Sequence, residues 1–292
     1  MPDLSRVRNV VFAGGGNRCF WQLGFWKRVA RETGLAPRQM ASVSAGSAMA
    51  CTVVAERIDE TVELTCEALS RNARNQYWSH LWQRGERVFP HEGIYRGLIR
   101  QLLDETGLAR IRKGPENRIE ITRIPPWLGA RTATALGLSA YQAEKRWHHP
   151  VHPVAGQRLG FVAEFVAARC CDSPQALEDL ILASSCTPPF TRLARINGRV
   201  ALDGGLVDNV PVAGLNDPEA PTLVLLTRPY KRVPESPQRL YLRPSQPVPV
   251  AAWDYTDADG VRATLAQGEA DGEAFLRQLD SPESLKALNW AV

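Results

Sequence analysis

The sequence predicts an α/β protein whose central sheet is mainly parallel. An apolar run, Val10–Ala13, leads directly into a glycine-rich turn, which is typical of a buried strand that enters a helix. A second short apolar run ends in a turn of small residues around Ser44. From there strand-like and helix-like segments alternate, and such alternation places helices across a sheet of parallel strands.

The elements of the first part of the chain follow from the spacing of apolar residues. Repeats of three and four residues predict helices, whereas alternation and short apolar runs predict strands. Gly34 marks a helix end, because glycine readily adopts the backbone conformation that terminates helices. In chain order we predict a strand at 9–13, a helix at 20–33, a strand at 39–43, helices at 45–55, 58–72 and 93–105, and a strand at 117–123.

The middle of the chain, which is rich in proline and tryptophan around 125–153, predicts a different kind of structure. We expect a helical or loop-like cap segment, roughly residues 75–155, that faces the substrate. Since no repeat or low-complexity linker divides the sequence, we expect one domain over 1–292.

Beyond the cap segment we predict a helix at 174–185, a strand at 199–202 that enters Asp203, a strand at 221–227, an extended stretch at 228–249, and an amphipathic helix at 254–279 that Gly260 could interrupt.

Composition favours a cytoplasmic protein with a full hydrophobic core. Of the 292 residues, 44 % are apolar. The sequence contains no run of about 18 apolar residues and therefore predicts no transmembrane helix. Its N-terminus is polar and does not predict a signal peptide. The six cysteines have neither CxxC nor metal-ligand spacing, so we expect reduced thiols and no metal site.

Charge is unevenly distributed, and residues 71–152 carry twice as many Arg and Lys as Asp and Glu. This basic stretch fits either a solvated face or attraction to anionic lipid headgroups, and no nucleic-acid motif accompanies it. Tryptophans within it could form a membrane-interface surface, although burial in the core of a lid is the slightly favoured interpretation for each one. They are Trp78, Trp82, Trp127 and Trp147.

Ser44 is the candidate nucleophile, because a serine between small residues on a tight strand-to-helix turn exposes its hydroxyl. Ser47 is the alternative, but it lies within the predicted helix, where a serine more often forms local hydrogen bonds. Asp203 follows a strand on a glycine turn and is the candidate base. All five histidines precede Asp203, so a triad in the order serine, aspartate, histidine is excluded. A carboxylate can act as the base if burial raises its pKa.

The loop Gly14–Gly16, followed by Arg18, can supply backbone N–H groups to an oxyanion. It lacks the Lys-Ser/Thr ending of a nucleotide-binding P-loop. Because Cys19 stands where a third glycine would be required, the loop also does not match a dinucleotide-binding fingerprint.

These motifs together resemble the patatin-like phospholipases over roughly residues 9–213. That family combines a G-G-G-x-R/K loop, a G-x-S-x-G serine and a D-G-A/G aspartate, and residues 183–190 and 202–211 strongly resemble its segment around the aspartate. The resemblance implies a three-layer sandwich with a mainly parallel sheet, a Ser44–Asp203 dyad, and an oxyanion hole formed by Gly14, Gly15, Gly16 and Arg18. Two positions depart from the pattern: Ser42 replaces the first glycine, and Cys19 follows the basic residue.

The resemblance implies hydrolysis of phospholipid or lysophospholipid esters, without metal, calcium or another cofactor. We expect a cytoplasmic protein that could make peripheral membrane contact, and the resemblance leaves open whether an activating protein partner is needed. Two alternatives remain. One is a soluble carboxylesterase or acyl-thioesterase, and the other is a non-catalytic protein that holds an anion or a headgroup with its glycine loop.

Overall fold

The computed structural model describes residues 4–83, 85–147, 151–230 and 232–279, with side chains undescribed over 143–147. His148 and His149 of the predicted cap segment therefore lie outside the described residues, as do both ends of the predicted domain 1–292. Within the described part, no helix is both long and apolar enough to cross a lipid bilayer.

Eight strands form one mixed sheet whose parallel ladders join β1, β2, β3, β7 and β8. Ladders connect the strands in the order β5-β6-β3-β2-β1-β7-β8, and β4 also pairs with β3. The strands are β1 Asn9–Phe12, β2 Gln39–Val43, β3 Glu116–Arg123, β4 Val162–Ala167, β5 Ala194–Ile196, β6 Arg199–Asp203, β7 Thr222–Leu225 and β8 Arg239–Leu242.

The antiparallel strands lie on either side of β3. Glu120 of β3 pairs with β2 and β4, whereas the next residue, Ile121, pairs with β6 and β4. A strand residue has only two lateral neighbours, so β2 and β6 share one edge of β3 and their ends meet there. This arrangement positions the site described below.

Nine α-helices lie among the described residues, and both faces of the sheet are covered. Val10 and Phe12 of β1 pack into the main helical core, whereas Val11 packs into a smaller cluster on the opposite face. The α/β fold class with a mostly parallel sheet and flanking helices is confirmed. The helices are α1 Phe20–Thr33, α2 Ala45–Val54, α3 Ile58–Arg71, α4 His91–Leu102, α5 Glu105–Lys113, α6 Ala130–Trp147, α7 Ala155–Arg158, α8 Pro174–Ser184 and α9 Ala258–Leu279.

Several predicted boundaries were wrong, and aspartate caps explain two of them. The helix predicted at 93–105 ends at Leu102, because Asp104 accepts the Gly107 N–H at 2.9 Å and begins α5. The closing helix begins at Ala258 rather than 254. Its first turn is held by the Asp257 side chain, which accepts the Gly260 N–H at 2.7 Å, so Gly260 does not interrupt the helix. The predictions also missed β4 and β5.

The interpretation of the tryptophans as core residues was wrong for three of the four. Trp78, Trp82 and Trp127 are 60 %, 91 % and 75 % exposed. Trp78 and Trp82 lie at the two ends of a short 3₁₀ turn, Trp78–Trp82, that buries none of its residues. Trp147 ends α6, and its side chain lies outside the described part of the chain.

Candidate active site

The two candidate catalytic side chains meet because two strands end against each other. Ser44 directly follows β2, and Asp203 is the last residue of β6, on the same edge of β3. Ser44 Oγ donates a hydrogen bond to Asp203 Oδ2 at 2.7 Å. The register of the sheet therefore brings together two residues that are 159 positions apart in the sequence.

Ser44 occupies a strained turn between β2 and α2. Its φ of 55° and ψ of −137° lie in a region that residues with a Cβ seldom adopt. The Ser44 N–H donates to Ser184 Oγ at 2.8 Å, and Ser184 Oγ donates to the Glu120 carbonyl at 2.6 Å. A Cβ at Gly46 would lie 2.5 Å from the carbonyl oxygen of Ala13, so only glycine allows the turn to pack on β1.

The other two serines of the turn have structural contacts. Ser42, which replaces the first glycine of the family pattern, is buried and donates to Asn117 Oδ1 at 2.8 Å. Ser47 is fully buried, and its Oγ lies 3.3 Å from Ser184 Oγ. Neither serine is placed like Ser44, whose hydroxyl contacts a carboxylate and lines a cavity.

Asp203 is a buried carboxylate with few hydrogen-bond donors. Oδ2 accepts from Ser44 and from Thr187 Oγ1 (3.3 Å), and Oδ1 accepts from the Gly205 N–H (2.8 Å). Burial raises the pKa of Asp203 to about 6, against the lowering effect of these hydrogen bonds. The carboxylate is thus a stronger base than an exposed aspartate but remains largely ionised at neutral pH.

The glycine loop is held by hydrogen bonds to the Gly14 peptide groups. The Gly14 N–H donates to the Asn209 carbonyl at 3.0 Å and is therefore engaged within the protein. The Gly14 carbonyl accepts from Asn209 Nδ2 at 3.0 Å and from Thr227 Oγ1 at 2.8 Å. This carbonyl shares a planar peptide with the Gly15 N–H, so the two side chains fix the direction of that N–H.

Gly15 and Gly16 have no room for side chains. A Cβ at Gly15 would lie 2.5 Å from Thr227 Oγ1, and one at Gly16 would lie 2.1 Å from the Ala252 carbonyl oxygen. Gly16 also has a φ of +60°, which favours glycine. Of the predicted oxyanion residues, Gly15 and Gly16 thus remain the candidate backbone donors.

An open cavity joins these groups. Ser44, Asp203, Arg18 and all three glycines of the loop line it. Arg18 lies in the 3₁₀ turn Gly16–Cys19, and its Nε donates to the Gly15 carbonyl at 3.2 Å. α6, from the predicted cap segment, contributes further lining residues, including Leu138 and Tyr141.

Sequence reasoning missed four residues of this site: Ser184, Asn209, Thr227 and Arg228. Asn209 falls within the motif around Asp203 but had no assigned role. Thr227 and Arg228 follow β7, a parallel strand, and the carboxyl ends of parallel strands gather at one edge of the sheet. That rule could have placed both residues beside the glycine loop.

A Thr227→Val variant is expected to lower kcat by about tenfold, because it removes one of the two side-chain donors to the Gly14 carbonyl and loosens the Gly15 N–H. Valine keeps the shape of threonine, so KM and the melting temperature should change little. Thr227→Ser is the matched control and should retain most of the kcat, since it keeps the hydroxyl. Steady-state kinetics measures both, and equal losses in the two variants would contradict this role.

Comparisons with known proteins bear on the family of this chain. The sequence model described as "Patatin-like phospholipase" matches residues 10–215, which include Ser44, Asp203 and the glycine loop. No curated protein matches the chain. Among solved structures, VipD from Legionella pneumophila is 11 % identical, with a TM-score of 0.38 over 91 % of this chain and 67 % of that one, a likeness too low to support an inference. From the match over residues 10–215, we conclude that the chain belongs to the patatin-like phospholipase family, a family of lipid acyl hydrolases.

Proposed function

We propose that the chain hydrolyses carboxylic esters of phospholipids or lysophospholipids, with Ser44 as nucleophile and Asp203 as its base. The observation that carries the proposal is the 2.7 Å hydrogen bond from Ser44 Oγ to Asp203 Oδ2 on the wall of an open cavity. The raised pKa of Asp203, about 6, suits a group that must accept a proton and later return it.

In the first half of the reaction, Ser44 Oγ attacks the acyl carbonyl carbon and its proton passes to Asp203 Oδ2. The N–H groups of Gly15 and Gly16 hold the negative oxygen of the tetrahedral intermediate, and Arg18 adds positive charge nearby. The bond to the leaving alcohol then breaks, and that alcohol takes the proton from Asp203. An acyl-enzyme remains.

In the second half, water attacks the acyl-enzyme and gives its proton to Asp203. The ester bond to Ser44 breaks, Ser44 recovers the proton, and a fatty acid leaves. Histidine takes no part in this scheme. His152 Nδ1 lies 2.9 Å from Asp208 and its Nε2 lies 3.3 Å from the Tyr241 hydroxyl, and none of the described histidines bonds to Ser44 or Asp203.

We further propose peripheral contact with a lipid surface through the tryptophan turn, Trp78–Trp82. It exposes Trp78, Trp82 and Leu81, the last to 62 %, within the basic middle of the chain. Aromatic rings favour the interface between headgroups and acyl chains, and basic residues are attracted to anionic headgroups. α6 and the tryptophan turn both belong to the proposed cap segment of a single domain.

The proposal is tested by measuring fatty-acid release from two substrates. One is a set of anionic phospholipid vesicles, and the other is a short-chain ester below its micelle concentration. The native chain should hydrolyse both substrates. A double Trp78→Ser, Trp82→Ser variant should lose about tenfold or more on vesicles, because burial of two indole rings is removed, and should change little on the dissolved ester. Val162→Ser, which removes another exposed apolar side chain, is the matched control.

The outcomes separate the alternatives. Hydrolysis of the dissolved ester alone would favour the soluble esterase or thioesterase. No hydrolysis of either substrate would favour the non-catalytic binding protein. An equal loss in Val162→Ser would contradict a specific lipid contact by the tryptophan turn.

A further inference from the structure

Two arginines face the cavity that holds Ser44 without a carboxylate partner. Arg18 and Arg228 both line this cavity, and neither forms an ion pair with any carboxylate of the described residues. The buried Arg123, by contrast, is paired with a carboxylate: its Nη2 lies 2.7 Å from Glu164 Oε1. Asp203 is the one carboxylate among the described lining residues, and it accepts hydrogen bonds from its own neighbours.

The two guanidinium groups are close enough to affect each other. Burial, and then the charge of Arg228, lower the pKa of Arg18. Two like charges near each other in a partly buried cavity destabilise the empty site, and an anion between them would remove that cost. The chain supplies no such anion among its described residues.

Both side chains are held in place. Arg18 Nε donates to the Gly15 carbonyl, which leaves its terminal nitrogens available to other acceptors. The Arg228 guanidinium lies over the Tyr230 ring, 4.3 Å from its centre. A pair of fixed guanidinium groups matches the oxygens of a phosphate, which arginine binds with two parallel hydrogen bonds.

We propose that Arg18 and Arg228 form a phosphate-binding subsite that selects ester substrates with a phosphate near the scissile acyl group. The inference rests on the proposed function and narrows its substrate class: glycerophospholipids are preferred over neutral acylglycerols. Arg228 is the more informative residue for a test, because Arg18 also contacts the glycine loop.

The first experiment compares kcat/KM for a short-chain phosphatidylcholine and for the diacylglycerol with the same acyl chains, both below their micelle concentrations. In Arg228→Gln the ratio of the two values should fall at least about tenfold, the worth of one charge-assisted hydrogen bond. Arg262→Gln is the matched control: it removes the same charge from α9, outside the cavity, and should leave the ratio unchanged. An unchanged ratio in Arg228→Gln would overturn the subsite.

The second experiment does not require hydrolysis, so it separates failure of the subsite from failure of the proposed function. Calorimetry measures binding of short-chain diether lipids, with and without a phosphate, to Ser44→Ala. The phosphate-bearing lipid should bind at least about tenfold more tightly, and Arg228→Gln in the same background should remove the difference. Equal binding of both lipids would overturn the proposal.

Inorganic phosphate, used as a third ligand in the same titration, distinguishes the source of the anion. Weak competition with the diether phospholipid supports a lipid headgroup as the ligand. Competition by phosphate at equal concentration supports a free-phosphate site in the same place. Failure of phosphate to compete at any concentration, with both lipids bound equally, would show that the arginines do not recognise this group.

Discussion

A Ser44→Ala variant is expected to lose covalent labelling by a fluorophosphonate and to hydrolyse esters at least about 10⁴-fold more slowly than the native chain. Ser44 Oγ is the atom that would bond to the acyl carbon, and alanine offers no replacement. Mass spectrometry of the intact chain and its peptides should find a single adduct on Ser44 in the native chain and none in the variant.

Ser47→Ala is the matched control for this experiment. Ser47 lies in the same segment, but its Oγ contacts Ser184 and not Asp203, so labelling should continue at a similar rate. An adduct on Ser47, or a native chain that does not label at all, would contradict the assignment of Ser44. The second result would instead favour a protein that binds lipid or another anion without cleaving it.

Asp203→Asn is expected to slow acylation of Ser44 by about 10³-fold or more, since an amide cannot take up the serine proton. Asparagine keeps the shape of aspartate and an oxygen that can accept one of its present hydrogen bonds. The folded state should therefore persist, and circular dichroism and thermal melting verify this. The rate of fluorophosphonate labelling measures the effect directly.

The pH dependence provides an independent check on Asp203. Its pKa of about 6 means that the ionised form, which is the proposed base, becomes dominant as the pH rises through this value. In the native chain kcat/KM should therefore increase through pH 6 and then level off, while the residual activity of Asp203→Asn should lack this step. A native profile without an inflection there, or a variant that retains it, would contradict the role of Asp203.

The same ionisation also affects stability. The pKa of Asp203 is higher in the folded chain, at about 6, than the ordinary value of 3.8, so the folded state binds more protons between these values. The contribution of Asp203 to the free energy of unfolding therefore falls as the pH rises from about 4 to 6. The proposed catalytic base thus lowers the free energy of unfolding at neutral pH.

Much of the fold could be predicted because its signals are local. The strand that contains Val10 and the strand that ends just before Ser44 are short apolar runs bounded by turns, and glycines mark the sharp changes of direction. The positions of Ser44 and Asp203 in their motifs were likewise readable. Their contact was expected only through the family resemblance, because local patterns do not report that β2 and β6 share one edge of β3.

The remaining features depend on tertiary contacts that spacing cannot reveal. A tryptophan has the same hydrophobic character whether it is covered or exposed, so the exposure of Trp78 and Trp82 required the structure. Thr227 gains its importance from one hydrogen bond to Gly14, 213 positions away. Arg228 is informative because it lacks a carboxylate partner among the described residues, and a sequence does not report which charges are paired.

The backbone of Ser44 has a consequence for how far this chain can be stabilised. A residue with a Cβ at φ 55° and ψ −137° costs on the order of 1–3 kcal/mol, whereas glycine there costs far less. Alanine retains this cost and glycine relieves it, so selection for thermal resistance alone would favour Ser44→Gly and eliminate the proposed nucleophile. Thermal stability and the proposed role of Ser44 therefore place opposite demands on one position, and variants selected only for heat tolerance are expected to lose its hydroxyl.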